Sequence, residues 1–578
     1  MNHLIKVFFG FGNYWNVFAG LIACGIFLTS CKEKKPPEEK VIVEAPEKMD
    51  DKVKRLIKNY LDYSLSKGGR INDSTVLYQL PILINLYKQK SFSPQWSSSQ
   101  KWLTRGDSLL QFIQNVKLYG LFPSDYHSRE LFSIKKGFEE DVFKDKGTKD
   151  AASWARADLM ISDALIRLFH HIKLGRLPND SITLRKDSVL TEEFISSKFN
   201  AATSGLSLHI IISPLEPKHE GYRELKKAVK NFLDSANFDP ITPVNFPNNN
   251  RNDLRAAVAK RLFELGYIDS LTNQPDSMRL VAILKKYQKD NRLTVDGRIG
   301  AQTIRMLNLS DEEKFKRVAI TMDRYKMLPD SMPRKYIWVN IPSYSLKLVS
   351  NDTIILMSKV VVGKPITRTP VLTSAVAEMI TYPQWTIPES IIEKEILPGM
   401  KKDTGYLAKK GYSLLNYKNE EVDPDSVDWN QYKKKIPYKV IQGSGDDNAL
   451  GVLKFNFFNK YFVYLHDTNQ RSFFGFDSRA FSHGCVRVQE WEKMAYYIMN
   501  NENTTPVSNK IKPIPVDSLT HWLKIKEKRS IPIRSKVPVF IRYFTCEANN
   551  GQISFFEDIY EEDKKMIELL FANKNLGE

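Results

Sequence analysis

The sequence predicts a multi-domain chain: a mostly α N-terminal region, a small α-helical unit, and a mainly β C-terminal domain carrying an insertion. Three observations lead there. At 578 residues and 66.7 kDa the chain is several times the usual domain length. Apolar residues recur with a helical period through its first half, and from Tyr336 onward β-branched and aromatic runs replace that pattern. With 42% hydrophobic residues each part has material for a core, which excludes global disorder.

The N-terminus bears on compartment. Lys6 supplies a basic region, and Val17 to Leu28 is a mostly apolar stretch, short for a bilayer span. It ends Leu28-Thr29-Ser30-Cys31, which resembles a bacterial lipoprotein signal. The resemblance implies removal of residues 1–30, taking Cys24 with them, and lipidation of Cys31. Several acyl chains then anchor the protein where one would be marginal. An uncleaved signal anchor is the alternative. Residues 31–50, charged and proline-bearing, read as a flexible tether. The expected location is the cell envelope, lipid-anchored at the outer membrane and facing the periplasm. The net charge of +18 and pI near 9.3 suit an anionic setting, either cell wall or acidic lipid. Lysines and arginines are scattered rather than gathered on one helix, so nucleic acid is not expected as a partner. Four cysteines, Cys24, Cys31, Cys485 and Cys546, form no paired spacing and no disulfide framework.

Residues 51–245 read as helical. Ile161, Leu165, Leu168 and Ile172 fall on one helical face, and Gly175 and Pro178 punctuate its end. His127, His170 and His171 lack acidic or cysteine partners at metal-ligand spacing and are expected to be structural or surface residues. Pro240 to Asn250 (PITPVNFPNNN) marks a boundary. In residues 250–310, Asp296-Gly297 makes a tight turn, and Gly300 precedes a short helix that Gln302 and Thr303 begin.

Strands are expected at Tyr336 to Ile341, Ile354 to Val362, Lys454 to Phe458 and Tyr461 to Leu465, with Asn459-Lys460 as a hairpin turn. Residues 335–505 form this domain. Within it, 393–438 is lysine-rich and irregular, either an insertion of its own or a solvated surface. Trp491 to Met499 reads as a helix. Residues 506–578 form a C-terminal segment in which Val537 to Phe544 and Ile553 to Phe556 flank Asn549-Asn550-Gly551, a hairpin signal. Cys546 has nothing nearby in sequence to activate it and is expected to be structural. Glu561 to Leu570 reads as a terminal helix.

Chemistry concentrates between Tyr461 and Val488, which reads YFVYLHDTNQRSFFGFDSRAFSHGCVRV. Fifteen residues separate His466 from Ser482-His483-Gly484-Cys485-Val486-Arg487. A thiol needs its proton removed to attack, an imidazole can remove it, and backbone amides can steady the oxyanion that forms. Gly484 lets the chain turn sharply beside the thiol. Arg487 can hold a carboxylate through its forked donors. Tyr464, two residues before His466, should leave the same strand face. A lone cysteine is usually a buried small hydrophobe and a lone histidine merely hydrogen-bonded; here it is the ordered combination that carries the signal.

That combination resembles the YkuD-type L,D-transpeptidase catalytic domain, whose pattern is a histidine, about fifteen residues, then Ser/Thr-His-Gly-Cys. Ile341-Pro342-Ser343-Tyr344-Ser345-Leu346, Val362-Gly363 with Thr369-Pro370, Tyr382 to Pro388 (YPQWTIP) and Asn448-Ala449-Leu450-Gly451 extend the match. More loosely, Leu86-Tyr87-Lys88-Gln89 and Leu118-Tyr119-Gly120-Leu121 resemble the scaffold domain of the large, multi-domain periplasmic branch. Residues 250–310 resemble its small peptidoglycan-binding domain, in which glycan binding or a purely architectural role is open. The branch implies that 393–438 is a capping insertion.

The resemblance implies a peptidoglycan L,D-transpeptidase. Cys485 is the nucleophile, His466 its base, Gly484, His483 and Ser482 support the oxyanion loop, and Arg487 and Tyr464 bind substrate. Through a cysteine thioester with loss of D-alanine it would join a donor tetrapeptide stem to an acceptor amine in a 3→3 cross-link, and a carbapenem would block it. Some branches carry asparagine at the Arg487 position, and the capped branch often lacks histidine at the His483 position. Water or a protein amine also suits as acceptor, giving a carboxypeptidase or a protein-attaching enzyme. A non-catalytic wall-tethering lipoprotein and a zinc hydrolase using His466, His483 and Cys485 are the remaining readings. No cofactor or metal is expected.

Overall fold

The computed structural model describes residues 36–142, 147–186, 189–270, 277–504, 514–574 and 576. The expected signal peptide, Cys24 and the lipidation residue Cys31 lie outside them. The first half is helical, with its core organised around the helix Ala151–Lys173. Asp150 caps that helix by accepting from the Ala152 and Ser153 amides. Ile161, Leu165, Leu168 and Ile172 are buried as expected, but the stripe is not the whole story. Leu159, Ser162, Asp163 and Ile166 on other faces are buried too, because neighbouring helices surround this one. Its acids are buried because they are satisfied: Asp158 accepts from the Gln95 and Trp96 amides, and Asp163 from the Tyr78 and Gln79 amides. His127 Nε2 lies 2.8 Å from Asp163, and His171 Nδ1 lies 2.8 Å from the Tyr126 hydroxyl.

A separate small core follows, built by helices Arg251–Glu264, Ser277–Asp290 and Ala301–Leu307 around Leu262, Leu284 and Leu307. The Gln288 amide group holds the Asp296-Gly297 turn, accepting from Gly297 N at 2.7 Å and donating to Asp296 at 2.8 Å. Gly297 sits at φ +71°, and a Cβ there would meet Val281 at 2.7 Å. The helix Asp311–Lys326 then leads into the β domain.

Nine strands make the main sheet: β1 (Lys335–Asn340), β2 (Ser345–Ser350), β3 (Thr353–Gly363), β4 (Leu372–Thr381), β5 (Leu453–Phe457), β6 (Leu465–His466), β7 (Ala480–Ser482), β8 (Val486–Val488) and β9 (Arg529–Arg542). Their order is β7-β3-β8-β6-β5-β4-β9-β1-β2, and β2 pairs again with β3, so the sheet closes on itself. The long β3 makes closure possible: Thr353 to Lys359 pairs with β2, and Val360 to Gly363 with β8 and β7. The enclosed core includes Val339, Leu346, Val376 and Phe455, and the helix Trp491–Thr504 adds Met494 and Ile498 to it.

Four expectations are corrected. Residues 36–50, expected as part of a flexible tether, pack on the helical half: Val41 and Met49 are buried, and Val41 N donates to Asp150 at 2.7 Å. Tyr461 to Leu465 is not a strand; only Leu465–His466 pairs. The Asn459 side chain accepts from the Tyr461 and Val463 amides and donates to the Phe457 and Val463 carbonyls, winding this segment into a loop despite its β-prone composition. Around Asn549-Asn550-Gly551 a hairpin does form, but its arms are Cys546–Asn549 and Gln552–Phe555, since β9 stops at Arg542.

Nor is the 393–438 segment irregular; it folds together with its flanks. Trp385–Thr386, Tyr412–Leu415 and Lys439–Gln442 form a three-stranded sheet, and Ile392, Ile396, Leu407, Leu414, Trp429 and Val440 pack as its core. Its lysines lie outside that core, which is why composition alone concealed the fold.

Candidate active site

The site is built where three strand ends meet. Strand β6 lies between β5 and β8, with Lys454 opposite His466 on one side and Arg487 on the other. Alternation sends Leu465 into the core, so His466, Lys454 and Arg487 share the opposite face. Cys485 immediately precedes β8, and Val486 N donates to Tyr464 O at 3.0 Å, which sets the thiol beside Tyr464. Tyr464 and His466 share that face, their rings 5.7 Å apart edge to face, with the Lys454 ammonium 3.8 Å from the Tyr464 ring centre.

A tight turn presents Cys485. The Ser482 hydroxyl donates to Cys485 O at 2.6 Å and accepts from Gly484 N at 3.1 Å, with Gly484 at φ +123°. The Gly484 amide is thus engaged within the turn. Residues 363–369 brace it from outside: Lys364 N and Thr367 Oγ1 both donate to Ser482 O at 3.0 Å, and Thr369 Oγ1 donates to Gly484 O at 2.8 Å. A Cβ on Gly363 would stand 2.1 Å from Thr367 O, so only glycine permits this close turn.

Burial dominates the electrostatics. It pushes the Cys485 thiol above its ordinary value, opposed by the Tyr464 backbone N–H and hydroxyl and then by the charges of Lys454 and Arg487. Burial, helped by Arg487 and Lys454, brings His466 down to about 3, although the Asp467 and Leu450 carbonyls favour its charged form. At neutral pH the resting pair is therefore a thiol and a neutral imidazole. His466 is only 4% exposed, and its Nδ1 is buried without a hydrogen-bond partner. Arg487 stacks on Phe473, donates to Gln470 Oε1 at 2.9 Å, and keeps a buried Nε without a partner.

The folded insertion reaches the site at two points. The Trp385 indole N–H faces the Tyr464 hydroxyl, and Glu395 Oε1 lies 2.5 Å from His483 Nε2. His483 therefore projects from the loop toward the insertion, whereas a zinc site would need it beside His466 and Cys485. Among the described residues no group of three His, Cys, Asp or Glu side chains is placed to hold a metal. Cys546 is fully buried elsewhere, its thiol raised to about 12 by burial.

Sequence reasoning assigned no role to Lys454, Trp385, Glu395, Thr367 or Thr369. Trp385 and Thr369 lie in segments that carried the resemblance, which was the available signal; Glu395 had none.

Comparison with known proteins agrees with this geometry. Residues 334–508 match the model of the L,D-transpeptidase catalytic domain, and residues 81–229 match that of the Scaffold domain. A Haemophilus influenzae protein named as an L,D-transpeptidase is 36% identical over 251 residues, which is 43% of this chain and 49% of that protein. The chain thus spans about half the length of this curated relative. The helical half and the closed β domain accordingly take their places as a scaffold domain followed by an L,D-transpeptidase catalytic domain, and the chain carries both.

Proposed function

We propose that the protein is a cysteine-dependent peptidoglycan L,D-transpeptidase that makes 3→3 cross-links. The observation that carries this reading is the shared face of His466, Tyr464 and Arg487 against Cys485, inside the matched catalytic domain. As Cys485 Sγ attacks the carbonyl carbon of the third residue of a donor tetrapeptide stem, His466 takes the thiol proton. At neutral pH that imidazole is unprotonated, and it takes the proton as Sγ bonds to carbon and the S–H becomes acidic. The amide of Cys485 is the candidate oxyanion donor, since the Gly484 amide already serves Ser482. Collapse breaks the peptide bond, D-alanine leaves with the proton from His466, and a thioester remains. An acceptor amine then attacks the thioester, gives its proton back through His466, and releases the cross-linked product and the free thiol.

Arg487, held flat by Phe473 and Gln470, suits the donor's terminal carboxylate. The insertion acts as a cap whose Trp385 and Glu395 close over the cleft. Lipidation at Cys31 and an envelope location complete the proposal and accord with a peptidoglycan substrate, and residues 250–310 are a candidate glycan contact.

The test is incubation of purified protein with disaccharide-tetrapeptide, with products read by mass spectrometry. A dimer lacking one D-alanine, absent with Cys485→Ala, is the expected result. Tripeptide alone would assign a carboxypeptidase instead. No turnover, together with failure of a carbapenem to label Cys485, would sink the reading in favour of a tethering protein.

A further inference from the structure

The bracing of the catalytic turn does not end at Thr369. Tyr560, from the C-terminal segment beyond the matched catalytic domain, is 2% exposed and sits directly behind the 363–369 loop. Its hydroxyl donates to Gly363 O at 2.6 Å and accepts from Thr369 N at 3.0 Å. Thr369 Oγ1 in turn accepts from Gly363 N at 2.8 Å and donates to Gly484 O at 2.8 Å. The Gly363 and Thr369 amides can only donate, and the Gly363 and Gly484 carbonyls can only accept, so each hydroxyl proton has one direction. The Tyr560 ring is itself clamped: Tyr543 stacks on it at 5.6 Å, and the Arg368 guanidinium lies 5.3 Å from its centre. Its amide is also tied, donating to the Tyr543 hydroxyl at 2.8 Å.

The bond to Gly484 O has a consequence for chemistry because a peptide is planar and trans. Gly484 C=O and Cys485 N–H belong to one peptide group and point in opposite directions. Whatever holds the carbonyl therefore aims the amide. We infer that Tyr560 is a positioning residue for the reaction: acting through Thr369, it sets the Gly484–Cys485 peptide plane and so the Cys485 amide that receives the oxyanion. It touches neither substrate nor thiol. The inference rests on the proposed reading of Cys485 as nucleophile.

The test uses the full chain and the disaccharide-tetrapeptide reaction. Tyr560→Phe keeps the clamped ring and removes only the hydroxyl, and Thr369→Val cuts the next link. Thr545→Val serves as a control, since its buried hydroxyl bonds Asp563 in the same segment and makes no bond to the 363–369 loop. Misaiming a reacting group by a fraction of an ångström to an ångström costs up to about 100-fold in rate. Tyr560→Phe and Thr369→Val should each lower kcat by ~10- to 100-fold with KM within about twofold. The double variant should be little worse than either single one, as expected for two links of one chain. Alkylation of Cys485 by iodoacetamide needs the thiol but no oxyanion donor, so its rate should hold in all three.

Wild-type kcat in Tyr560→Phe, an equal loss in Thr545→Val, or alkylation falling in step with kcat would each overturn the inference. Turnover surviving in Cys485→Ala would instead remove the nucleophile assignment, and the inference with it.

Discussion

Replacing Tyr464 with phenylalanine tests how this site reaches a thiolate. Burial holds the Cys485 proton on, and the donor groups of Tyr464 are the largest influences working against it. Phenylalanine keeps the ring that Lys454 covers at 3.8 Å and that meets His466 at 5.7 Å, and it deletes only the hydroxyl. A hydrogen bond to a charged group contributes about 1.5–3 kcal/mol. Since ~1.4 kcal/mol is tenfold in an equilibrium constant, the thiolate fraction at pH 8 should fall ~10- to 100-fold. A more basic thiolate is more nucleophilic, with a Brønsted slope of about 0.4–0.5, which recovers roughly half of that loss on a logarithmic scale. The net expectation is a ~3- to 15-fold slower alkylation of Cys485 by iodoacetamide at pH 8. Peptide mapping isolates this thiol from the buried Cys546. An unchanged rate would refute the view that the Tyr464 hydroxyl steadies the thiolate, and a plateau in the wild-type rate between pH 5 and 8 would refute the neutral resting pair.

Three further outcomes are expected. Gly363→Ala places a methyl 2.1 Å from Thr367 O, so the brace must move; acylation of Cys485 should be lost while circular dichroism stays native. Glu395→Gln weakens a partly exposed contact to His483, so unfolding stability should change by no more than ~1 kcal/mol, while KM rises a few-fold as the cap loosens; high salt should raise the wild-type KM in the same direction. Asp323→Asn acts on the buried contact between the helical half, at Arg176, and the helix Asp311–Lys326. Burial opposes its charge, but Arg176 at 2.9 Å and Lys326 at 2.8 Å hold its carboxyl at about 2. Removing the anion strands two buried cations, at a cost of ~3–5 kcal/mol in urea unfolding near pH 7. Because the folded value is depressed, that contribution is complete above about pH 4 and lost as pH falls toward about 2. The gap between wild type and variant should close across that window.

The helical first half was readable because its signals are local: period, caps and breakers act within a few residues of one another. The stripe of Ile161, Leu165, Leu168 and Ile172 was visible for that reason. The burial of Asp158 and Asp163 was not, because their partners come from Tyr78, Gln79, Gln95 and Trp96, far off in sequence. Tyr461 to Leu465 misled in the other direction. Its residues favour a strand, yet one side chain, Asn459, offered four hydrogen bonds to a loop and prevailed.

For the candidate site, the amino-acid sequence by itself determined the reactive groups. A thiol, an imidazole and a glycine-bearing turn had to lie at a set spacing within one short stretch, and their chemistry is intrinsic to the side chains. Tertiary structure decided their states and their aim. Parallel pairing of β6 with β8 put His466 beside Arg487, and burial then took the proton from the imidazole and left one on the thiol. Trp385, Glu395, Thr369 and Tyr560 reach the site from as many as 115 residues away, through the folded insertion, the 363–369 loop and the closing segment. Desolvation and hydrogen-bond direction depend on which surfaces meet in space, and no spacing along the chain encodes that meeting.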